Sequence, residues 1–312
     1  MPFDFASVST PFRMQPGLRR LPPGATQLTP IAPGDRTLRE KLAVLGAHAH
    51  QALLSAPGFD ASPALQALGA HAAVEHPQAW SSNGSGHGHA LRLGWSVSEG
   101  EIERHTGARP EVGACLEALA PPWRLPALLS LAFAEDFAVI DGRTAHIPWL
   151  AVCLPSGWAP EEKVGRHFAQ VHAPVADNQL LVTASDHLAR LVSGEERWAR
   201  DVWSITRHPR LHAHPARLDP APWPATGDAQ ALAERAYLRT EHQTFIPLPQ
   251  LQQAVFTIHV TLTPLTQALT SVAQARQLHD ALASMSDAVL AYRGLTDARG
   301  RLLEWLQTRA AE

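Results

Sequence analysis

The chain has 312 residues, 45% of them hydrophobic and 18% charged, enough to bury one large core or two modest ones. A formal net charge of −3, a pI near 6.6 and the absence of any Lys/Arg run argue against nucleic acid and against the membrane surface as partners. Cys115 and Cys153 are the only cysteines, too few for a disulfide scaffold or for a cysteine-ligated zinc or iron–sulfur site within one chain.

Residues 1–36 are rich in Pro and Gly and read as an extended N-terminal arm, without the basic start and apolar run of a secretory signal. No later stretch is apolar enough to span a bilayer, so a soluble, cytoplasmic protein is expected. Asp35 and Thr37 open a helical pattern toward Leu54, and further helices are expected over 63–74 and 110–134, making 37–134 a mainly helical region packed on the core. Between them, the Ser/Gly-rich run from Gln78 to His89 reads as a surface loop. His48 with His50, His87 with His89 and His212 with His214 are i,i+2 pairs lacking a third ligand at useful spacing, and they read as surface histidines rather than metal sites.

After Asp136 the texture changes. Phe137–Ile140 and His146–Cys153 are short β-prone runs around Asp141-Gly142-Arg143, a hairpin signal. One helix is expected from Pro160 to His172 and another from Ala184 to Val192. Strands are then expected at Ala199–Thr206, Tyr237–Phe245 and Ala254–Thr263, with C-terminal helices over 266–312. Two strands, helices and three strands give an α+β fold with a five-stranded antiparallel sheet over 135–265 and helices on one face, which is also the PAS order.

Four blocks within 130–265 resemble the haem-dependent oxidative N-demethylase family. They are Glu135-Asp136-Phe137; the run from Val152 to Gly165 continued by Val171-His172-Ala173-Pro174-Val175; Arg200 with Trp203-Ser204-Ile205; and Arg239 to Phe245 continued by Leu248-Pro249 and Ala254 to Ile258. The resemblance implies a PAS-like core binding haem b and N-demethylation of a small secondary amine such as dimethylamine. O2 and reducing equivalents would be consumed and formaldehyde released, with electrons supplied through FMN and iron–sulfur groups on a reductase partner. It leaves a homo-oligomer open. Val202, His242, Ile246-Pro247 and Ala176 depart from the family pattern and put the substrate amine in question. The same fold would serve a non-catalytic haem or gas sensor, or an interaction protein that has lost the haem.

Val164, Phe168 and His172 at i, i+4, i+8 would form one apolar stripe on the expected helix and turn His172 inward as an axial ligand; the family pattern matches there and not at His167. The alternative reading is that His172 caps the helix C-terminus. Strand alternation sets Arg239, Glu241 and Gln243 on one face as candidate catalytic groups, with Thr240, His242 and Thr244 on the other. The first face could otherwise be plain solvated sheet. Lys163 and Arg200 are candidate partners for haem propionates. Trp158 and Trp203 read as core, and Cys153 as a small apolar residue in a buried strand.

Overall fold

The β-prone runs after Asp136 do form strands, but the sheet they build is wider than the sequence pattern suggests. A computed structural model describes residues 3–84 and 86–312. In chain order the strands are β1 (Arg19–Arg20), β2 (Leu53–Ser55), β3 (Trp80–Ser81), β4 (His87–Ala90), β5 (Trp95–Ser98), β6 (Glu101–Arg104), β7 (Asp136–Asp141), β8 (Trp149–Ala151), β9 (Trp198–Thr206), β10 (Tyr237–Leu248) and β11 (Gln253–Pro264). The main antiparallel sheet runs β1-β9-β10-β11-β7-β8-β2. The five expected strands are therefore contiguous, in the order β9-β10-β11-β7-β8. The sheet has seven strands rather than five because short segments of the N-terminal region pair at both edges, Arg19 with Ala199 and Leu53 with Ala151.

The long β10–β11 hairpin sets the register of the whole sheet, pairing Tyr237 with Pro264 at one end and Leu248 with Gln253 at the other. On its other side β10 pairs with β9, which places Arg200 beside Gln243, Val202 beside Glu241 and Ser204 beside Arg239. Asp141 closes the β7–β8 connection by accepting from the backbone N–H groups of Arg143 and Thr144.

Helices cover both faces of the sheet, not one. Helix Ser62–Glu75 packs on β10 and β11. Glu75 holds the backbone N–H of Gln27, whose side chain reaches Thr244. The opposite face, through Phe245 and Ile140, meets Ala189 and Val192 of helix Ser185–Val192. Both faces must be apolar or internally paired as a result, and buried groups from all parts of the chain join them. The C-terminal helices Leu265–Ala268, Val272–Ala283, Asp287–Tyr292 and Arg299–Arg309 make a second core with Trp203, Ile205 and Leu238. No helix among the described residues is long and apolar enough to cross a membrane.

Lys41 ties the N-terminal helices to this frame. It lies in helix Arg36–Ala52, is 0% exposed, donates to the carbonyls of Phe133 and Glu135, and stands 3.2 Å from Asp136 Oδ1. Asp136 Oδ2 in turn accepts from the Leu154 N–H at 2.6 Å. A buried ammonium is tolerable only with such partners, since desolvation otherwise exceeds the Coulombic return.

Two local expectations are corrected. The run Gln78–His89 is not a plain loop: β3 and the first residues of β4 lie within it, in a four-stranded sheet β3-β4-β5-β6, and Ser85 falls outside the described residues. The single helix from Pro160 to His172 does not form. A 3-10 turn, Pro160–Glu162, is followed by a break and a five-residue helix, Phe168–His172. The break has a tertiary cause. Gly165 takes φ +72°, a conformation that side-chain-bearing residues resist, and donates its N–H to the Ile147 carbonyl while the Ile147 N–H returns to Arg166. Pairing with the β7–β8 connection thus outweighs helix continuation.

Candidate functional site

Although the long stripe is absent, the short helix Phe168–His172 still sets Phe168 and His172 one turn apart, and both line a cavity of about 820 Å³. That size lies at the upper end of the roughly 300–1,000 Å³ usual for pockets that hold a small molecule or cofactor. Apolar side chains of the sheet, among them Ala138, Ile140, Leu150, Phe245, Phe256 and Ile258, form the floor. Segment 156–181 and the C-terminal stretch 292–297 supply the walls.

His172 Nδ1 contacts the Phe168 carbonyl at 2.9 Å. A carbonyl only accepts, so Nδ1 carries the proton and Nε2 carries the lone pair. Burial pulls the His172 pKa down to about 4; the Phe168 carbonyl opposes that shift, while the Arg200 and Lys163 charges add to it. A neutral imidazole with a fixed tautomer is the state in which histidine ligates a metal. The Phe168 carbonyl belongs to the first residue of the helix, so this bond is not a cap on the free carbonyls of its C-terminus. His167 is placed differently. It caps the short helix, accepting from the Ala169 N–H at Nδ1, and its Nε2 stands 2.9 Å from Asp186 Oδ1, so both ring nitrogens are engaged.

All six expected site residues line the cavity: Lys163, His172, Arg200, Arg239, Glu241 and Gln243. The solvated-sheet alternative for the β10 face does not hold, because Arg239 is 4% and Glu241 8% exposed. Their neighbours divide them into two kinds. Arg239 donates from all three nitrogens, to Ser156 Oγ at 2.7 Å and to the carbonyls of Arg210, Leu154, Pro155 and Leu211. It clamps two loops and has little left to offer a ligand. Gln243 Nε2 donates to Glu241 Oε2 at 2.5 Å, which fixes the carboxylate while leaving Oε1 open.

Arg200 donates no side-chain hydrogen bond among the described residues, and its buried Nε has no partner. Burial draws its pKa below the usual guanidinium range, with the Glu241 and Asp201 charges opposing. Lys163 Nζ donates to the Val171 carbonyl at 3.1 Å, and burial lowers its pKa as well.

Sequence reasoning missed the C-terminal contribution. Tyr292, Arg293 and Asp297 line the cavity, as does the 218–223 stretch with Asp219 and Trp223. A tyrosine and an arginine at the end of a helix read locally as surface and cap, and nothing short-range joins them to a sheet some fifty residues upstream. Trp158 and Trp203, expected in the core, border the cavity too, and Val202 faces it. His242, another departure from the family pattern, lies on the far face with Nδ1 2.7 Å from Asp201 Oδ1.

Cys153 is fully buried, with its thiol pushed far above the ordinary range by burial, and does not line the cavity. No cluster of three or more His, Cys, Asp or Glu side chains able to hold a metal ion occurs among the described residues. The neutral imidazole of His172 and the Arg200 guanidinium thus face one largely apolar cavity, a setting that can take an anionic ligand.

Residues 101–303 match the model of a protein family described as haem-dependent oxidative N-demethylase, alpha subunit-like.

Proposed function

The chain belongs to the haem-dependent oxidative N-demethylase alpha subunit-like family, and from that premise we propose that it binds haem b beside His172 and removes a methyl group from a small, dimethylamine-like secondary amine. The observation that carries this reading is the pairing of a neutral, tautomer-fixed His172 with Arg200, Glu241 and Gln243 in the walls of one 820 Å³ cavity. The order β8-β7-β11-β10-β9 is read as the PAS-like core of that site.

The residues present fit the cofactor. His172 Nε2 would hold the haem iron. Arg200, without a hydrogen bond of its own, and Lys163 would meet propionates. The cavity lining bears five cationic side chains, Lys163, Arg200, Arg207, Arg239 and Arg293, against three acidic ones, Asp219, Glu241 and Asp297. That surplus of two matches the two propionate charges.

Haem bound there would supply the oxygen-activating chemistry. In the overall reaction the C–N bond breaks and one atom of O2 leaves with the methyl carbon as formaldehyde. The other leaves as water, and two electrons and two protons are consumed. The family resemblance implies electrons arriving through FMN and iron–sulfur groups; with two cysteines in this chain, an iron–sulfur cluster would sit on a partner protein. Glu241 is the group for the amine: its open Oε1 can hold an ammonium N–H and take the proton when the nitrogen must carry its lone pair. Gln243 positions that carboxylate, and the apolar floor excludes water from the reacting carbon.

Expression with haem supplementation tests the proposal. The wild type should show a Soret band and release formaldehyde only with amine, O2 and reductant together, and His172→Ala should lose or shift the band. Oxygen binding without formaldehyde would assign a sensor, and colourless protein after reconstitution would assign an interaction protein.

A further inference from the structure

Arg293 is a cation without a counter-ion. It follows the helix Asp287–Tyr292 as its C-cap residue, and Nη1 donates to the Trp203 carbonyl at 2.6 Å. Its guanidinium carbon stands 4.6 Å from the Phe12 ring centroid and 5.2 Å from that of Trp203. Among the described residues no carboxylate lies within ion-pair distance of it. Tyr292 is the one ionisable group that acts on it, and burial draws its pKa down to about 10. Neighbouring cations differ: Arg207 is paired with Asp219, and Arg239 is spent on carbonyls.

Ring contacts compensate such a cation only in part, since a cation–π contact is weaker than the desolvation penalty of a guanidinium. Among the described residues Nε and Nη2 of Arg293 make no hydrogen bond, and the residue lines the same cavity as His172 and Glu241. Tyr292, next in the chain, lines it too and lies within electrostatic reach of Glu241, so the stretch that carries Arg293 borders the same cavity as the proposed ammonium anchor.

We propose that Arg293 is a carboxylate-binding residue of the cavity, contributed by the C-terminal helical layer. Two carboxylates qualify. One is a propionate of the cofactor. The other is the substrate's own, in which case the substrate is an N-methyl amino acid, its nitrogen at Glu241 and its carboxylate at Arg293, rather than a plain dialkylamine. Both sources rest on the haem and amine reading above.

The test uses the full chain as wild type, Arg293→Met and Arg293→Lys. Haem-loaded protein is titrated with dimethylamine and with N-methylglycine while the Soret position is followed, and haem transfer to a scavenger globin is timed. A propionate contact predicts that Arg293→Met loses haem at least about tenfold faster with its amine preference unchanged. A substrate contact predicts that wild type prefers N-methylglycine at least about tenfold, and that Arg293→Met loses this preference while binding dimethylamine as before.

Arg293→Lys, which keeps the charge and one donor, should fall between and carries the test if the Met variant does not fold. Unchanged haem transfer and unchanged amine preference in a folded variant overturn the proposal. If no protein takes haem, the functional reading has failed instead. The thermal melting shift of the apo protein with N-methylglycine against dimethylamine then decides for Arg293: a shift that needs Arg293 supports it, and none overturns it.

Discussion

On the face of β10 that carries Thr240, His242 and Thr244, each polar side chain closes on a neighbour. Thr240 meets Thr261 Oγ1 at 2.5 Å, Thr244 meets Thr257 Oγ1 at 2.7 Å and receives Gln27 Nε2, and His242 reaches Asp201. On the face that carries Glu241 and Gln243, one internal hydrogen bond is made, while among the described residues Arg200 donates no hydrogen bond and one Glu241 oxygen has no partner. The two faces belong to one strand and both are covered by helices. Each leaves a polar atom without a partner, Gln27 Oε1 beside Thr244 and Arg200 Nε beside Gln243, but only the second leaves a charged group so, as expected where a ligand completes the hydrogen bonding. Arg239 is the exception, a cavity-facing residue satisfied in the manner of the far face.

Glu241→Gln offers the largest effect and tests the ligand side of this contrast. A positioned acid–base group typically contributes about 10²- to 10⁴-fold, so formaldehyde release should fall by that order while haem content and urea midpoint stay near wild type. A destabilised variant with unchanged turnover per haem would move Glu241 to the structural class. The two guanidinium groups sharpen the contrast further. Arg239→Met leaves several buried carbonyls without a donor and should cost about 3 kcal/mol or more in urea unfolding, with or without haem. Arg200→Met removes a cation that donates no hydrogen bond among the described residues, so the apo protein should keep most of its stability and the loss should appear in haem retention.

The contrast was partly legible in the sequence. Period-two alternation is a local property, and it assigned Arg239, Glu241 and Gln243 to one face before any fold was known. The β7–β8 ribbon followed from β-prone runs around Asp141-Gly142-Arg143, and β9, β10 and β11 were legible as strands without their pairing. Strands of two to four residues such as β1 and β3 are too short to carry a period, so the second sheet and both edges of the main one went unseen. His172 was set on an apolar stripe of a helix that Gly165 interrupts, and it reaches the cavity because five helical residues suffice to align it with Phe168. The helix break and the arrival of Arg293 are decided by partners distant in sequence, Ile147 in one case and Trp203 in the other.

Glu135 gives a pH-dependent test of the buried, non-cavity side. It is 2% exposed, accepts from the Thr29 N–H and stands 3.4 Å from His259 Nδ1. Burial raises its pKa to about 7, with the Thr29 hydrogen bonds opposing. The folded chain therefore holds this proton more tightly than the unfolded one. Its stabilising contribution is complete below the ordinary carboxyl value near 4.5 and is lost as pH rises through about 7, an effect of up to roughly 3 kcal/mol. His259 acts in a different window: burial lowers its pKa to about 4, so its protonation costs stability only as pH falls below about 6.5. Urea unfolding of Glu135→Gln should lose the decline between pH 5 and pH 8 that the wild type shows, because the amide has no proton to release.

The smallest expected effect lies at Thr244, 0% exposed, where two hydroxyls and the Gln27 amide nitrogen are linked by hydrogen bonds. Thr244→Val keeps the volume and strands Thr257 Oγ1 and Gln27 Nε2 with one partner fewer each, although Gln27 Nε2 retains the Phe245 carbonyl at 3.0 Å. The cost should be about 1 kcal/mol, the net worth of one buried hydrogen bond plus partial loss of a second. Thr257→Val added to it should cost much less than the first change, since the second substitution removes the group that the first left unpaired. Additive losses would mean that the two hydroxyls are satisfied independently, and the distinction drawn between the two faces of β10 would then rest on the cavity side alone.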